Sequence, residues 1–84
     1  MREINLNLLI DAITKSNNVY RDSNQAPINR VLALWDLGDV LLKHEVNKPH
    51  SYGWKIQDKT NGLIKRMTIA RAYRIRQIWP KRDY

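Results

Sequence analysis

The stretch Val31-Leu32-Ala33-Leu34-Trp35-Asp36-Leu37-Gly38-Asp39-Val40-Leu41-Leu42 decides how this chain of 84 residues folds. Val31, Leu34, Trp35, Leu41 and Leu42 recur at helical spacing, with Gly38 in the same stripe. Leu32, Leu37 and Val40 widen the apolar face beyond what one neighbour can cover, so the segment reads as a central helix. Pro27 stands where a first-turn proline is tolerated, which sets the expected helix at 27–46. Gly38 costs about 1 kcal/mol of helix propensity relative to alanine. Its place in the stripe points to a close helix crossing, the alternative being simple tolerance by a long helix.

Upstream, Leu6, Leu9, Ile10 and Ile13 form one face of an amphipathic helix with Asn5 as its N-cap, and Val19 to Gln25 reads as a polar loop. Downstream, Asn47-Lys48-Pro49-His50 breaks the pattern. Ser51 is expected to cap a third helix that starts near Tyr52 and runs to about Asn61, or through Gly62 to Lys65; the Asn61-Gly62 pair can itself mark the end. The last segment opens on Thr68 as N-cap and stops at Pro80, with Ile69, Ala72, Ile75 and Trp79 at helical spacing, giving a helix over 68–79. No alternating run argues for a strand. The fold class is therefore all-α, a small bundle of about four helices forming one domain over residues 1–84, either free-standing or the N-terminal domain of a longer protein.

A domain this short buries roughly 60% of its surface and has a thin core. With no cysteine it has neither a disulfide framework nor a thiolate zinc site, which fits a reducing, cytoplasmic setting. Asp36, Asp39 and Lys43 interrupt the longest apolar stretch well short of a membrane span, and Met1-Arg2-Glu3-Ile4-Asn5 lacks the features of a signal peptide. A soluble protein with no membrane partner is expected.

The charge is unevenly placed. Residues 1–46 carry five bases and six acids; residues 47–84 carry ten bases and only Asp58 and Asp83, a balance of +8. A basic cluster of this kind attracts polyanions by counterion release. The competing reading is a solvated charged face. Five of the ten bases are arginine, whose planar fork suits phosphate and guanine.

Those arginines concentrate in Leu63-Ile64-Lys65-Arg66-Met67-Thr68-Ile69-Ala70-Arg71-Ala72-Tyr73-Arg74-Ile75-Arg76. A helix end, a short turn and a capped helix bearing Arg71 and Arg74 is what a helix-turn-helix needs to place side chains at base edges in the major groove. Such turns commonly carry Gly, whereas the turn positions here are Arg66, Met67 and Thr68. With Thr68 as N-cap, Ala72 and Ile75 face the core and Arg66 takes the Gly position; with Thr68 at the Gly position, the next core site falls on Arg74. The first register is preferred, and a plain helical hairpin with an Arg-rich outer face is the alternative.

Five of the seven aromatic residues, Tyr52, Trp54, Tyr73, Trp79 and Tyr84, also lie in the basic half. Core packing is the expectation for Trp54 and Trp79, whereas Tyr73, between the apolar stripe and the arginines, is the best aromatic candidate for a nucleic-acid contact. Asp36 and Asp39 have no His or Lys at motif spacing and are expected to be solvated. His44 and His50 have no nearby ligand set, and neither a phosphate-cradling Gly loop nor a nucleophile elbow is present. No catalytic residue, metal or cofactor is expected.

The segments Leu34-Trp35-Asp36-Leu37-Gly38-Asp39, Tyr52-Gly53-Trp54 and Tyr73-Arg74-Ile75-Arg76-Gln77-Ile78-Trp79 together resemble the helical N-terminal domain of the YhcG-like family of bacterial nucleases. That family shows an aromatic-x-x-Gly helix, a Tyr-Gly pair opening the next helix and an Arg-rich final helix. The resemblance covers about residues 31–79. It implies a DNA-binding-like helical domain that normally precedes a nuclease domain of the PD-(D/E)xK class, so these 84 residues would not cut DNA themselves. The family usually has Ser and a longer spacer before its final helix, where this chain has Met67-Thr68 in an expected tight turn.

The functional expectation is a module for duplex DNA. Arg71 and Arg74 are the base-edge candidates, with Lys55, Lys59, Lys65, Arg66, Arg76, Lys81 and Arg82 as phosphate contacts and Tyr73 beside them. The alternative is a protein-interaction or oligomerisation module in which the apolar face of helix 27–46 packs against a copy of itself or a larger partner. Single-strand or RNA binding is a third option.

Overall fold

The computed structural model describes residues 5–46 and 48–82. Expectations that fall on Met1 to Ile4, Asn47, Asp83 and Tyr84 lie outside the described residues. Four helices follow one another, α1 Leu6–Arg21, α2 Pro27–Lys43, α3 Pro49–Lys59 and α4 Arg66–Ile78, and there is no strand among the described residues. The molecule is a small all-α bundle. Helix α2 is covered by α1 and by α4, while α3 packs on α4.

Asn5 caps α1 as its residue type predicts, its side chain accepting from the Leu8 amide at 3.2 Å. Leu9 and Ile13 are fully buried, and Leu6 and Ile10 pack beside them. The helix runs on through Val19, Tyr20 and Arg21, which the sequence assigns to a loop. Tertiary contacts carry it further. The buried Asn17 amide and the Arg21 guanidinium both donate to the Leu63 carbonyl, at 3.3 and 2.7 Å, and Arg30 donates to the Tyr20 carbonyl at 2.8 Å. These bonds span up to 46 residues, so no local rule reveals them.

Helix α2 opens on Pro27 and buries Ala33, Leu34, Trp35, Leu37, Gly38 and Leu41, a set too wide for one partner. It stops at Lys43, three residues short of the expected end. Glu45 turns into the left-handed region at φ 60°, its amide donating to Leu42 and that of Val46 to Leu41. This is a Schellman motif with Glu45 where Gly is usual, and its apolar clasp is the burial of Val46 with Leu41.

Helix α3 begins at Pro49, before the expected cap Ser51, which lies inside the first turn. Proline pre-sets the dihedral of a first helical position. The helix ends in a second Schellman turn, Asn61 at φ 52° with its amide on Asp58 and the Gly62 amide on Gln57 at 2.8 Å. Thr60 then stitches the connection, accepting from the Ile64 amide at 3.2 Å.

Helix α4 starts at Arg66, two residues before the expected cap. Lys65 is the N-cap and contributes no side-chain bond; Gln57 of α3 instead accepts from the Arg66 amide at 2.9 Å. Thr68 is buried in the first turn. The connection from α3 is therefore residues 60–65, longer than the three or four residues of a typical helix-turn-helix, and the tight turn expected at 66–68 is helical.

Helices α2 and α4 approach closely at Gly38. A Cβ there would overlap the Ala72 carbonyl oxygen and lie 2.9 Å from Arg76 Cβ, so α2 and α4 meet backbone to backbone. The open choice at this glycine resolves as a crossing. Gly38→Ala gains about 1 kcal/mol in helix propensity but must push α4 away, and overpacking of this kind costs about 1–3 kcal/mol. The variant is expected to melt below the wild type in thermal or urea unfolding; a higher melting temperature would contradict the crossing.

Candidate nucleic-acid interface

Because Ala72 faces α2, helical geometry fixes the direction of every other side chain on α4. Ile69 and Ala72 are fully buried and Ile75 packs beside them. Arg76, four residues on from Ala72, lies on the same side. Arg74 lies roughly 160° around the helix and Arg71 roughly 100°, which turns both toward solvent. Both are exposed.

The two kinds of arginine have different surroundings. Arg76 Nε donates to Asp39 Oδ1 at 2.9 Å, its guanidinium lies 4.9 Å from the Trp35 ring centroid, and its side chain is only 21% exposed. Asp39 also takes Lys43 Nζ at 2.9 Å. Burial by itself would raise the Asp39 carboxyl, but hydrogen bonds from Lys43 and Arg76 and their charges outweigh it and hold the group below its ordinary value. Arg82 makes a two-pronged contact with Asp36 at 2.9 and 3.2 Å, and Trp35 Nε1 donates to the Trp79 carbonyl at 2.7 Å. Asp36 and Asp39, expected to be solvated, therefore anchor the C-terminal segment and α4 on α2. Arg76 and Arg82, expected at phosphate, are engaged with those two acids.

Arg71 and Arg74 make no ion pair or hydrogen bond among the described residues. With Met67 and Ala70 they line a surface hollow of about 320 Å³. Nothing acidic lies in α4, and the amide at its first residue is capped by neutral Gln57, so the positive end of the helix dipole is uncompensated by side-chain charge. Lys55, Lys59, Lys65 and Lys81 are exposed, and Lys55 lies 4.9 Å from the Tyr52 ring centroid. Tyr73 is half-buried and packs against the core.

The structure also moves two tryptophans out of the core. Trp79 follows the last helical residue in extended conformation, which swings its ring off the stripe, and it is 39% exposed. Trp54 is 45% exposed, with the Arg66 guanidinium 4.4 Å from its ring centroid. A signal for this was present: Ile56 is the buried anchor of α3, and stepping back by three or four residues reaches Tyr52 and Gly53 and misses Trp54.

A second hollow, about 380 Å³, lies between α1 and α2 on the Asp36 side. Its rim carries Asp36 and Arg82 already bonded to each other, leaving Lys15 as its other charged group. His44 Nδ1 lies 3.0 Å from the Val40 carbonyl, and His50 is exposed. Among the described residues no helix is long and apolar enough to cross a membrane. Comparison of the chain with protein-family models, curated proteins and solved structures finds no match.

The Asp39 arrangement makes a pH prediction. A carboxyl held below its ordinary value of about 3.9 contributes stability at neutral pH, which is lost as pH falls through the folded-state value. Asp39→Asn is expected to lower stability at pH 7 by about 1–2 kcal/mol and to flatten the loss of stability below pH ~4. Urea denaturation across pH checks this; an unchanged acid limb would show that Asp39 is not the responsible group.

Proposed function

We propose that the chain is a duplex-DNA-binding module that presents the outward face of α4 to the major groove. The observation that carries this is the sorting of arginines on one acid-free helix: Arg76 is bonded to Asp39, whereas Arg71 and Arg74 are exposed and unpaired beside Met67 and Ala70. Arginine can bond bidentately to guanine O6 and N7. In this reading Arg71 and Arg74 meet base edges, and Lys55, Lys59, Lys65, Arg66 and Lys81 meet phosphate. Arg76 and Arg82 hold the fold, and Tyr73 supports α4 from the core side. The resemblance of residues 31–79 to the helical domain of the YhcG-like nucleases points the same way, with any cleavage left to a separate domain.

The apolar face of α2, offered by the sequence as a surface for a copy or a larger partner, is largely taken up by α1 and α4 of the same chain, with Val31, Leu32, Val40 and Leu42 part-buried. Leu34, Leu37 and Leu41 lie in the core, so no observation favours that alternative.

Binding measured by fluorescence anisotropy tests the proposal. With about five phosphate contacts, doubling the salt is expected to weaken binding by roughly twentyfold. The double variant Arg71→Ala, Arg74→Ala should stay folded by circular dichroism and lose discrimination between duplex sequences, since each bidentate base contact supplies about 1–3 kcal/mol. Salt-independent binding, or discrimination that survives the double substitution, would overturn it.

A further inference from the structure

We infer that Trp54 is a stacking platform for an unpaired nucleobase, so that the α4 face takes a duplex flanked by single-stranded nucleotides in preference to continuous duplex. This rests on the duplex-binding reading above and goes beyond it.

A small domain gains most from a tryptophan by burying it. Trp35 follows that rule, 7% exposed with its indole N–H bonded to the Trp79 carbonyl. Trp54 does not: it lies outside the core cluster with nearly half its surface open. The contact it makes is with Arg66, and Arg66 is held firmly. Its Cα and Cβ pack against the position of Gly53, where a Cβ would meet them at 3.4 and 3.3 Å, and its amide is bonded to Gln57. The α3–α4 contact thus fixes the backbone and Cβ of Arg66, from which the guanidinium reaches over the Trp54 ring.

The pair is continuous with the proposed groove-facing surface. Arg66 Nη1 lies 3.8 Å from the sulfur of Met67, and Met67 borders the hollow shared with Arg71 and Arg74. Trp54 therefore stands at the N-terminal margin of the α4 face, where a strand leaving the duplex would pass. Asp58 sits one helical turn on from Trp54 and is exposed. A carboxylate there repels phosphate but accepts from base amino groups, which suits the ring to a base rather than to the backbone. Stacking on an aromatic ring is tolerant of base identity, because every base has a π-face.

The test compares a short blunt duplex with the same duplex carrying a single-stranded extension of a few nucleotides, by anisotropy at fixed salt, for the wild type, Trp54→Leu and Trp54→Tyr. The wild type is expected to bind the extended duplex about tenfold more tightly. Trp54→Leu should lose that preference while its blunt-duplex affinity stays within about twofold, and Trp54→Tyr should retain most of it. Equal wild-type affinity for the two duplexes overturns the platform and leaves the α4 reading standing, as does a Trp54→Leu variant that keeps the preference or weakens both duplexes alike. Failure of the wild type to bind the blunt duplex at all overturns the α4 reading and the platform with it.

Discussion

The contact on which the rest depends is the crossing of α2 and α4 at Gly38. With no side chain at that position the two backbones come together over Ala72, and α4 is fixed both in height and in rotation about its own axis. Rotation matters most. Ile69 and Ala72 are driven into the core, Arg76 is delivered to Asp39 and Trp35, and Arg71 and Arg74 are left on the far side. A small domain with no disulfide has few other means of fixing one helix so exactly against another.

That geometry divides the charge. Two of the acids in the near-neutral first half, Asp36 and Asp39, are used to hold arginines from the basic half, so part of the positive charge is structural. On α4, Arg71 and Arg74 are left exposed together beside Met67 and Ala70. Helix α3 adds Trp54 beside the start of that face, because Gly53 lets it approach Arg66 closely and Gln57 caps the α4 amide. The same inter-helix contact thus completes the helix end and positions an aromatic ring.

How much of this could be read from the chain depended on the range of each interaction. The width of the α2 stripe announced a helix covered on two sides, the place of Gly38 in that stripe offered a crossing with simple tolerance as the alternative, and Asn5 capped α1 through a contact three residues away. The start of α4 could not be read, because its cap comes from Gln57 nine residues upstream on another helix, and Thr68 had the residue type of a cap. The arginine partners of Asp39 and Asp36 lie 37 and 46 residues along the chain, whereas Lys43, the other partner of Asp39, is one turn away. The separation of Arg76 from Arg71 and Arg74 was available from the Ile69 and Ala72 stripe, since Arg76 is one turn from Ala72. A third helix opening near Tyr52 carries Trp54 in its first turn; one that begins at Pro49 and is registered on Ile56 turns the ring outward.

The most direct test of an α4 face built from Arg71 and Arg74 is a nuclear magnetic resonance titration of the isotope-labelled chain with a short duplex, following backbone amides and arginine Nε–H signals together. Perturbations are expected to concentrate on Met67, Ala70, Arg71 and Arg74, with the Arg66 Nε–H at their margin, while the Arg76 and Arg82 signals and the amides of α1 stay in place. Shifts centred on α1 or on the Asp36 hollow, or Arg76 moving as far as Arg71, would contradict it.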